Sequence, residues 1–380
     1  MSPFLRFALA GAAATAAGNG LARFAYVPLF PAMVTAGWVD GGQAGMLGAA
    51  ALLGYLVGIL GGRGVARRLG VPGLLDCGMG LVVLALAACA WNGGFAWFVV
   101  WRTLAGIGGG LLMALAGPAT QASVAPEWRG AAGGVVISGV GLGIATGAVA
   151  VPALLSGGLP AAWLGLAGLV LGLWGFAHSR WPHMVLTGEA AEAPPRAQLL
   201  TATYGLHAAG MVPPMVYLAD LAARGRGLGL GIGAAVWLVF GLAGVAGGIL
   251  SGRVTDRIGG RRALAIWLAV QSLALALALP PWPVLVLPAA AAAGFAAVGV
   301  TAVTLTVCRD VAGARATGLW VRCTAAFAVM QTLVGFGLAA LFAATGESHL
   351  AVFAAGFGFS LAGLAGAMGL LRKADRMVAG

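Results

Sequence analysis

Apolar residues along this chain run on continuously, without the alternation of a half-buried strand, in twelve long stretches parted by short breaks. The stretches cover 6–35, 43–62, 72–91, 94–121, 132–153, 161–178, 199–221, 229–250, 263–279, 284–307, 317–344 and 350–371. A helix needs about 20 apolar residues to cross a hydrocarbon core of ~30 Å. Only helices and closed barrels satisfy their backbone polar groups there, and continuous runs exclude the barrel. The pattern therefore predicts an all-α, polytopic membrane protein of 12 transmembrane helices. The breaks carry turn chemistry: Trp38-Val39-Asp40-Gly41-Gly42, Asn92-Gly93-Gly94, Ser156-Gly157-Gly158 and Pro280-Pro281-Trp282-Pro283.

Composition agrees and adds an orientation. Hydrophobic residues make up 61% of the 380 residues and charged residues 8%, a surface no soluble domain of this length could solvate. With the N-terminus in the cytoplasm, the inside set is Arg6, Arg63, Arg67, Arg68, Arg129, Arg180, Arg196, Arg253, Arg257, Arg261, Arg262, Arg309, Arg315, Arg372, Lys373 and Arg376. Of the 21 basic residues, Arg224 and Arg226 alone fall outside, and Arg23, Arg102 and Arg322 lie within spans. This asymmetry predicts that both termini are cytoplasmic, in a plasma membrane. It also accounts for the net charge of +11 without nucleic acid as a partner, because the basic residues sit in short loops facing an anionic leaflet. Phe7 to Ala17 could pass for a signal peptide, but Arg23 and the prolines beyond it fit an uncleaved first helix better. Cys77, Cys89, Cys308 and Cys323 lack metal-ligand spacing and read as small packing residues, with no disulfide.

The chain reads as two halves. The one long hydrophilic connection runs from Arg180 to Gln198, which predicts an N-terminal six-helix bundle (1–180), a cytoplasmic linker (181–198) and a C-terminal six-helix bundle (199–380). Leu53 to Arg63 aligns with Ala243 to Arg253 at an offset of 190, with six of eleven pairs identical. Val65 to Gly70 then matches Val254 to Gly259 at an offset of 189, and both matches close the second helix of their half. Glycine numbers 65, much of it in Gly-x-x-x-Gly ladders inside spans: Gly54/Gly58/Gly62, Gly139/Gly143/Gly147 and Gly244/Gly248/Gly252. Small residues let helix backbones meet in lipid, and such smooth faces serve static packing or sliding equally well.

Gly252-x-x-x-Asp256-Arg257-x-Gly259-x-Arg261-Arg262, after the eighth span, resembles the loop signature of the major facilitator superfamily. The equivalent point of the first half departs from it, with Arg67 in place of the acid, and Val71, Pro72 and no basic pair after Gly70. Arg102-x-x-x-Gly106-x-Gly108 resembles the superfamily's second signature, while Ser138 to Gly143 lacks the Gly-Pro pair of drug/proton antiporters. A closer resemblance is to the bacterial YbfB/YjiJ-type transporters, through Leu21-Ala22-Arg23-Phe24-Ala25-Tyr26-x-Pro28-x-x-Pro31-x-Met33, Tyr204 to Val216 and Gly318-Leu319-Trp320 onward. The resemblance implies two six-helix bundles around a central cavity, working as a monomeric secondary transporter by alternating access. It also implies a gating role for Gly252, Asp256, Arg257, Gly259, Arg261 and Arg262.

Candidate site residues come from polar groups inside the spans. An arginine at a span centre costs roughly 2.5–3.5 kcal/mol on insertion scales, so it needs a partner or a purpose. Asn19, Arg23 and Tyr26 fall on one helical face of the first span, and Arg102 lies at comparable depth in the fourth. One reading is a cationic cavity for a small organic solute with an anionic or polar group. The other is that the arginines bond helix carbonyls and fix helices together. A carboxylate partner for Arg23 would have to come from another span, with Asp220 the nearest by depth. In the seventh span Tyr204, His207, Met211 and Met215 share a face. His207 is a titrating group that could carry a coupling proton, or an ordinary packing residue. The His207/Met211/Met215 ladder also admits a copper transporter as an alternative function. A non-transporting membrane sensor is the third reading. Nucleotide-binding, His-Glu-x-x-His and Gly-x-Ser-x-Gly motifs are missing, so neither an enzyme nor a bound cofactor or resident metal is expected.

Overall fold

The computed structural model describes residues 3–125, 129–182 and 197–379, excluding the side chains of residues 3, 129–131, 252, 253, 256, 309, 314, 317, 318 and 373–379. Most of the expected linker thus lies outside the described residues. The secondary structure is all helical, with no strand among the described residues. The elements in order are α1 (Pro3–Thr15), a π-helical segment (Ala16–Phe24), α2 (Tyr26–Thr35), α3 (Gly41–Ala88), α4 (Phe95–Ala122), α5 (Arg129–Leu155) and α6 (Gly158–His178). They continue with α7 (Gln198–Asp220), α8 (Gly229–Ile258), α9 (Gly260–Ala278), α10 (Val286–Ala312), α11 (Ala316–Ala344) and α12 (His349–Ala379). Among the described residues, nine helices are long and apolar enough to cross a membrane. The chain divides into two compact units, Met1–Thr187 with Gly229–Leu238, and Gly188–Leu228 with Val239–Gly380.

Several boundaries differ from the hydropathy reading, each for a local reason. The first stretch is not one regular helix: α1 passes into nine residues of π-helix before α2 resumes. The second and third stretches form one 48-residue run, because residues 63–69 continue the helix. Its break is a single residue, Gly70, at φ 72° and ψ 166°. Gly259, its counterpart at the 189 offset, separates α8 from α9 at φ 83° and ψ 151°. Each half therefore turns on a glycine in a region of φ that side chains avoid. This gives the repeat a conformational content that residue identity alone lacked. At the start of α3, Asp40 and Gln43 form a reciprocal capping box at 2.7 and 3.2 Å. Pro213 and Pro214 do not interrupt α7, although each removes an amide donor; the helix runs on to Asp220 and widens into a π turn at Leu221–Gly225.

Glycines set how closely the helices of each unit approach. A methyl group at Gly54 would land on the carbonyl of Thr103, and one at Gly58 on that of Ile107. Gly106 and Gly110 return the contact against the backbone of Ala51 and Tyr55, so α3 and α4 touch main chain to main chain. On the other side of the first span, Gly143 lies against Gly20 and the carbonyl of Ala16.

Candidate functional site

The π segment of the first span is pressed between two neighbours. A side chain at Gly18 would meet Gly109 Cα of α4 at 3.0 Å, and one at Gly20 would collide with Gly143 of α5. With those faces occupied, Asn19 and Arg23 turn toward α3. The Arg23 guanidinium sits 4.8 Å from the ring centroid of Phe24 and 4.8 Å from that of Tyr55, both within cation–π range. Asn19 adjoins the Tyr55 phenol. Asn19 is buried, whereas Arg23 keeps part of its surface accessible. Tyr55 carried no signal in the sequence, because a lone tyrosine in an apolar run reads as packing.

The expected common face of Asn19, Arg23 and Tyr26 is not kept, because the π register shifts residues beyond it relative to an α-helix. Tyr26 turns elsewhere: its hydroxyl donates to the carbonyl of Ala44 at 2.8 Å and its ring stacks on Trp163 at 6.4 Å. Arg102 lies over that ring, 4.4 Å from its centroid, and donates from Nη1 to the Ala22 carbonyl at 2.7 Å. Arg102 is only 1% exposed. It ties α4 to the first span where the helix changes register, the carbonyl-bonded arrangement anticipated as one of its two readings. It also lies close enough to act electrostatically on Arg23, so the site is doubly cationic.

The α7 face is assembled as expected, and it is packed. His207 Nδ1 donates to Gln271 Oε1 of α9, and Gln271 Nε2 donates back to the His207 carbonyl at 3.1 Å. Gly210 makes room for this amide, since a methyl there would sit 2.6 Å from Gln271 Nε2. Tyr204 stacks on His207 at 5.6 Å and on Phe327 at 5.0 Å, and its hydroxyl meets Thr301 at 3.1 Å. Tyr204, His207 and Met211 are all buried. Met215 accepts from Gln331 Nε2 at 3.2 Å. Of the three donors of the copper ladder, Met215 is thus already engaged within the protein, while His207 is held at Nδ1 and its Nε2 is buried without a hydrogen-bond partner. An anaerobic competition titration with Cu(I) should accordingly show no stoichiometric binding; tight binding lost on replacing His207, Met211 and Met215 would restore the copper reading.

Residues 15–367 match the family described as "Uncharacterised MFS-type transporter YbfB", of the major facilitator superfamily. The chain belongs to this family. No curated protein matches it significantly. A crystal structure of a point mutant of the nucleoside transporter NupG is similar in fold, with a TM-score of 0.74 at 12% identity, covering 97% of this chain and 99% of that one. The protein is thus a multi-pass membrane transporter of the superfamily, acting as a secondary transporter on a small molecule.

In this transporter the superfamily signature is not a loop. Gly252 to Arg257 lie in the last turns of α8, and Gly260, Arg261 and Arg262 open α9 after the Gly259 turn. Arg257 and Arg262 are exposed and Arg261 is half-buried. The side-chain placement of Gly252 and Asp256 lies outside the described residues.

Asp220 is not a partner for Arg23. Its fully buried carboxylate is gripped by Arg224, Nε to Oδ1 at 2.5 Å and Nη2 to Oδ2 at 2.7 Å, and by His349 Nε2 at 2.8 Å. Arg224 Nη1 reaches Glu347 Oε2 at 2.6 Å. The turn from α11 to α12 holds Glu347 at φ 64°, a strained value for a residue with a side chain. The i, i+4 spacing of Asp220 and Arg224 was a readable ion-pair signal. His349 and Glu347, more than 120 positions away, gave none.

Proposed function

We propose that the transporter moves a small organic anion by alternating access between two six-helix bundles, 1–180 and 199–380, joined by the cytoplasmic linker 181–198. To the nine long apolar helices the reading adds the second arm of α3 beyond Gly70, the α1–π–α2 run, and α7, whose polar residues lower its hydropathy. That makes twelve spans, with both termini cytoplasmic in a bacterial inner membrane. Discontinuous spans are where secondary transporters build ligand sites, and the first span is discontinuous around Asn19 and Arg23. In this reading Arg102 and Tyr26 position the site, His207 holds α7 against α9, Tyr204 holds it against α10 and α11, and Met211 packs in the protein interior. The segment Gly252–Arg262, with Asp256, Arg257, Gly259, Arg261 and Arg262, biases the inward/outward equilibrium.

The observation that carries the reading is Arg23, a half-buried arginine deep in an apolar span with a second arginine close by. Two adjacent cations are costly in that environment, and an incoming anion relieves the cost. The planar N–H fork of a guanidinium matches the geometry of a carboxylate or phosphate. Thermal-stabilisation screening followed by flux in proteoliposomes tests this. The hits are expected to be anions, and Arg23→Gln should raise their apparent KM by about 10–100-fold, the worth of a charge-assisted hydrogen bond. Arg23→Lys should restore only part, because a lysine lacks the planar fork. Neutral or cationic hits, or an unchanged KM in Arg23→Gln, would overturn the reading.

A further inference from the structure

The superfamily signature loses its acid in the first half, and α3 shows what takes its place. Residues 63–69 are helical, so Arg63, Arg67 and Arg68 stand on the final turns before Gly70, and all three are exposed. Among the described residues of the first unit, Asp40 and Asp76 are the only acids. Asp40 caps the opposite end of this arm of α3, where it accepts from Gln43. Asp76 Oδ1 accepts the indole N–H groups of Trp174 and Trp181, both at 2.7 Å, and meets His178 Nδ1 at 2.9 Å. No carboxylate of the described residues forms an ion pair with the three arginines.

Helical periodicity continues this basic patch into an apolar face. Leu53, Val57, Leu60, Gly64 and Arg67 follow one another along one side of α3, flanked by Arg63 and Arg68. The three apolar residues are exposed. Gly61 and Gly64 leave a notch between leucine and arginine, because a methyl at either would have no side chain or neighbouring helix within 4 Å. One face of a membrane-crossing helix thus presents apolar surface, a notch, and three guanidiniums within about 8 Å of helix length. An anionic phospholipid presents acyl chain, glycerol and phosphate in the same order. Guanidinium forks make charge-assisted bonds to phosphate oxygens, and basic groups clustered at the end of a membrane helix attract anionic lipid.

We propose that this face binds an anionic phospholipid, with the phosphate on Arg63, Arg67 and Arg68 and the glycerol in the notch at Gly61 and Gly64. An acyl chain then lies along Leu60, Val57 and Leu53. The site is independent of the transported solute.

The test titrates the full-length protein in detergent with dioleoyl phosphatidylglycerol, dioleoyl phosphatidylcholine and inorganic phosphate. Bound lipid is counted by native mass spectrometry, beside the unfolding temperature. Phosphatidylglycerol is expected to bind about tenfold more tightly than phosphatidylcholine, and its affinity should fall about fivefold for each of the three arginines changed to glutamine. Arg315→Gln, the same charge change at an exposed position of the second unit, should leave that affinity unaltered. Gly64→Leu fills the notch with every charge in place and should also weaken binding, which diffuse attraction to a charged leaflet would not do. If the triple arginine variant does not fold, Arg67→Gln and Gly64→Leu decide the matter. Equal affinity for the two lipids, equal loss in Arg315→Gln and Arg67→Gln, unchanged affinity in Gly64→Leu, or inorganic phosphate stabilising the protein as much as the lipid would each overturn the site.

Discussion

Asp220→Ala is expected to cost the folded protein about 3–5 kcal/mol, the usual penalty for removing one partner of a buried ion pair. The carboxylate is fully buried and takes donors from Arg224 on both oxygens and from His349 on one. Its loss leaves a guanidinium and an imidazole without the carboxylate that both bond, with Glu347 still facing Arg224. Arg224→Met should be similarly damaging, because it strands the Asp220 charge. The double variant Asp220→Leu/Arg224→Met should recover much of the loss, since an apolar pair needs no desolvation to be repaid. Thermal unfolding in detergent reads all three, and a double-mutant cycle isolates the coupling. If both single variants unfold at the wild-type temperature, the cluster is not a structural clasp. Arg23→Gln provides the contrast: a substrate-facing arginine should shift ligand response far more than unfolding temperature.

How much of this could be read from the chain follows from the range of each interaction. Hydropathy marked the spans because burial in lipid is a property of contiguous residues. The Gly70 and Gly259 turns were implicit in the repeat, since both close its second helix, yet sequence placed the first turn too early. Residues 63–69 are polar enough to read as a loop, but they keep helical geometry until a residue that tolerates positive φ arrives. The π segment was invisible for a different reason. It arises where Gly18 and Gly20 are pressed against Gly109 and Gly143, contacts made across distant parts of the chain. Its register change redirected Tyr26 and brought Tyr55 into the site in its place. Arg23 was found by the cost of a charge at that depth, a local argument. Its companions depend on which helix lies alongside, and the partners of Asp220 depend on a turn more than 120 positions away.

The glycines yield the sharpest separation between a pattern and a structure. Gly54→Ala is expected to cost more than the ~1–3 kcal/mol usual for overpacking, because the obstacle is the Thr103 carbonyl, main chain that cannot rotate away. Gly61→Ala, with open space around it, should be close to neutral. In the first half, then, the Gly54/Gly58 ladder is the contact itself, and α3 and α4 move as one piece rather than sliding. In the second half the ladder misleads. A methyl at Gly248 would lie 3.0 Å from the Val298 side chain, which can shift by the few tenths required, and one at Gly244 would meet that side chain at 3.1 Å and the Gly294 carbonyl at 3.3 Å. Gly247, off the ladder, instead faces the Phe295 carbonyl, and Gly294 faces that of Phe240. Gly247→Ala and Gly294→Ala should therefore lose most of the folded protein, measured as monodisperse yield and unfolding temperature, while Gly248→Ala loses little. Equal damage from Gly248→Ala and Gly247→Ala would mean that α8 packs through its sequence ladder and that main-chain contact with α10 is not what holds it.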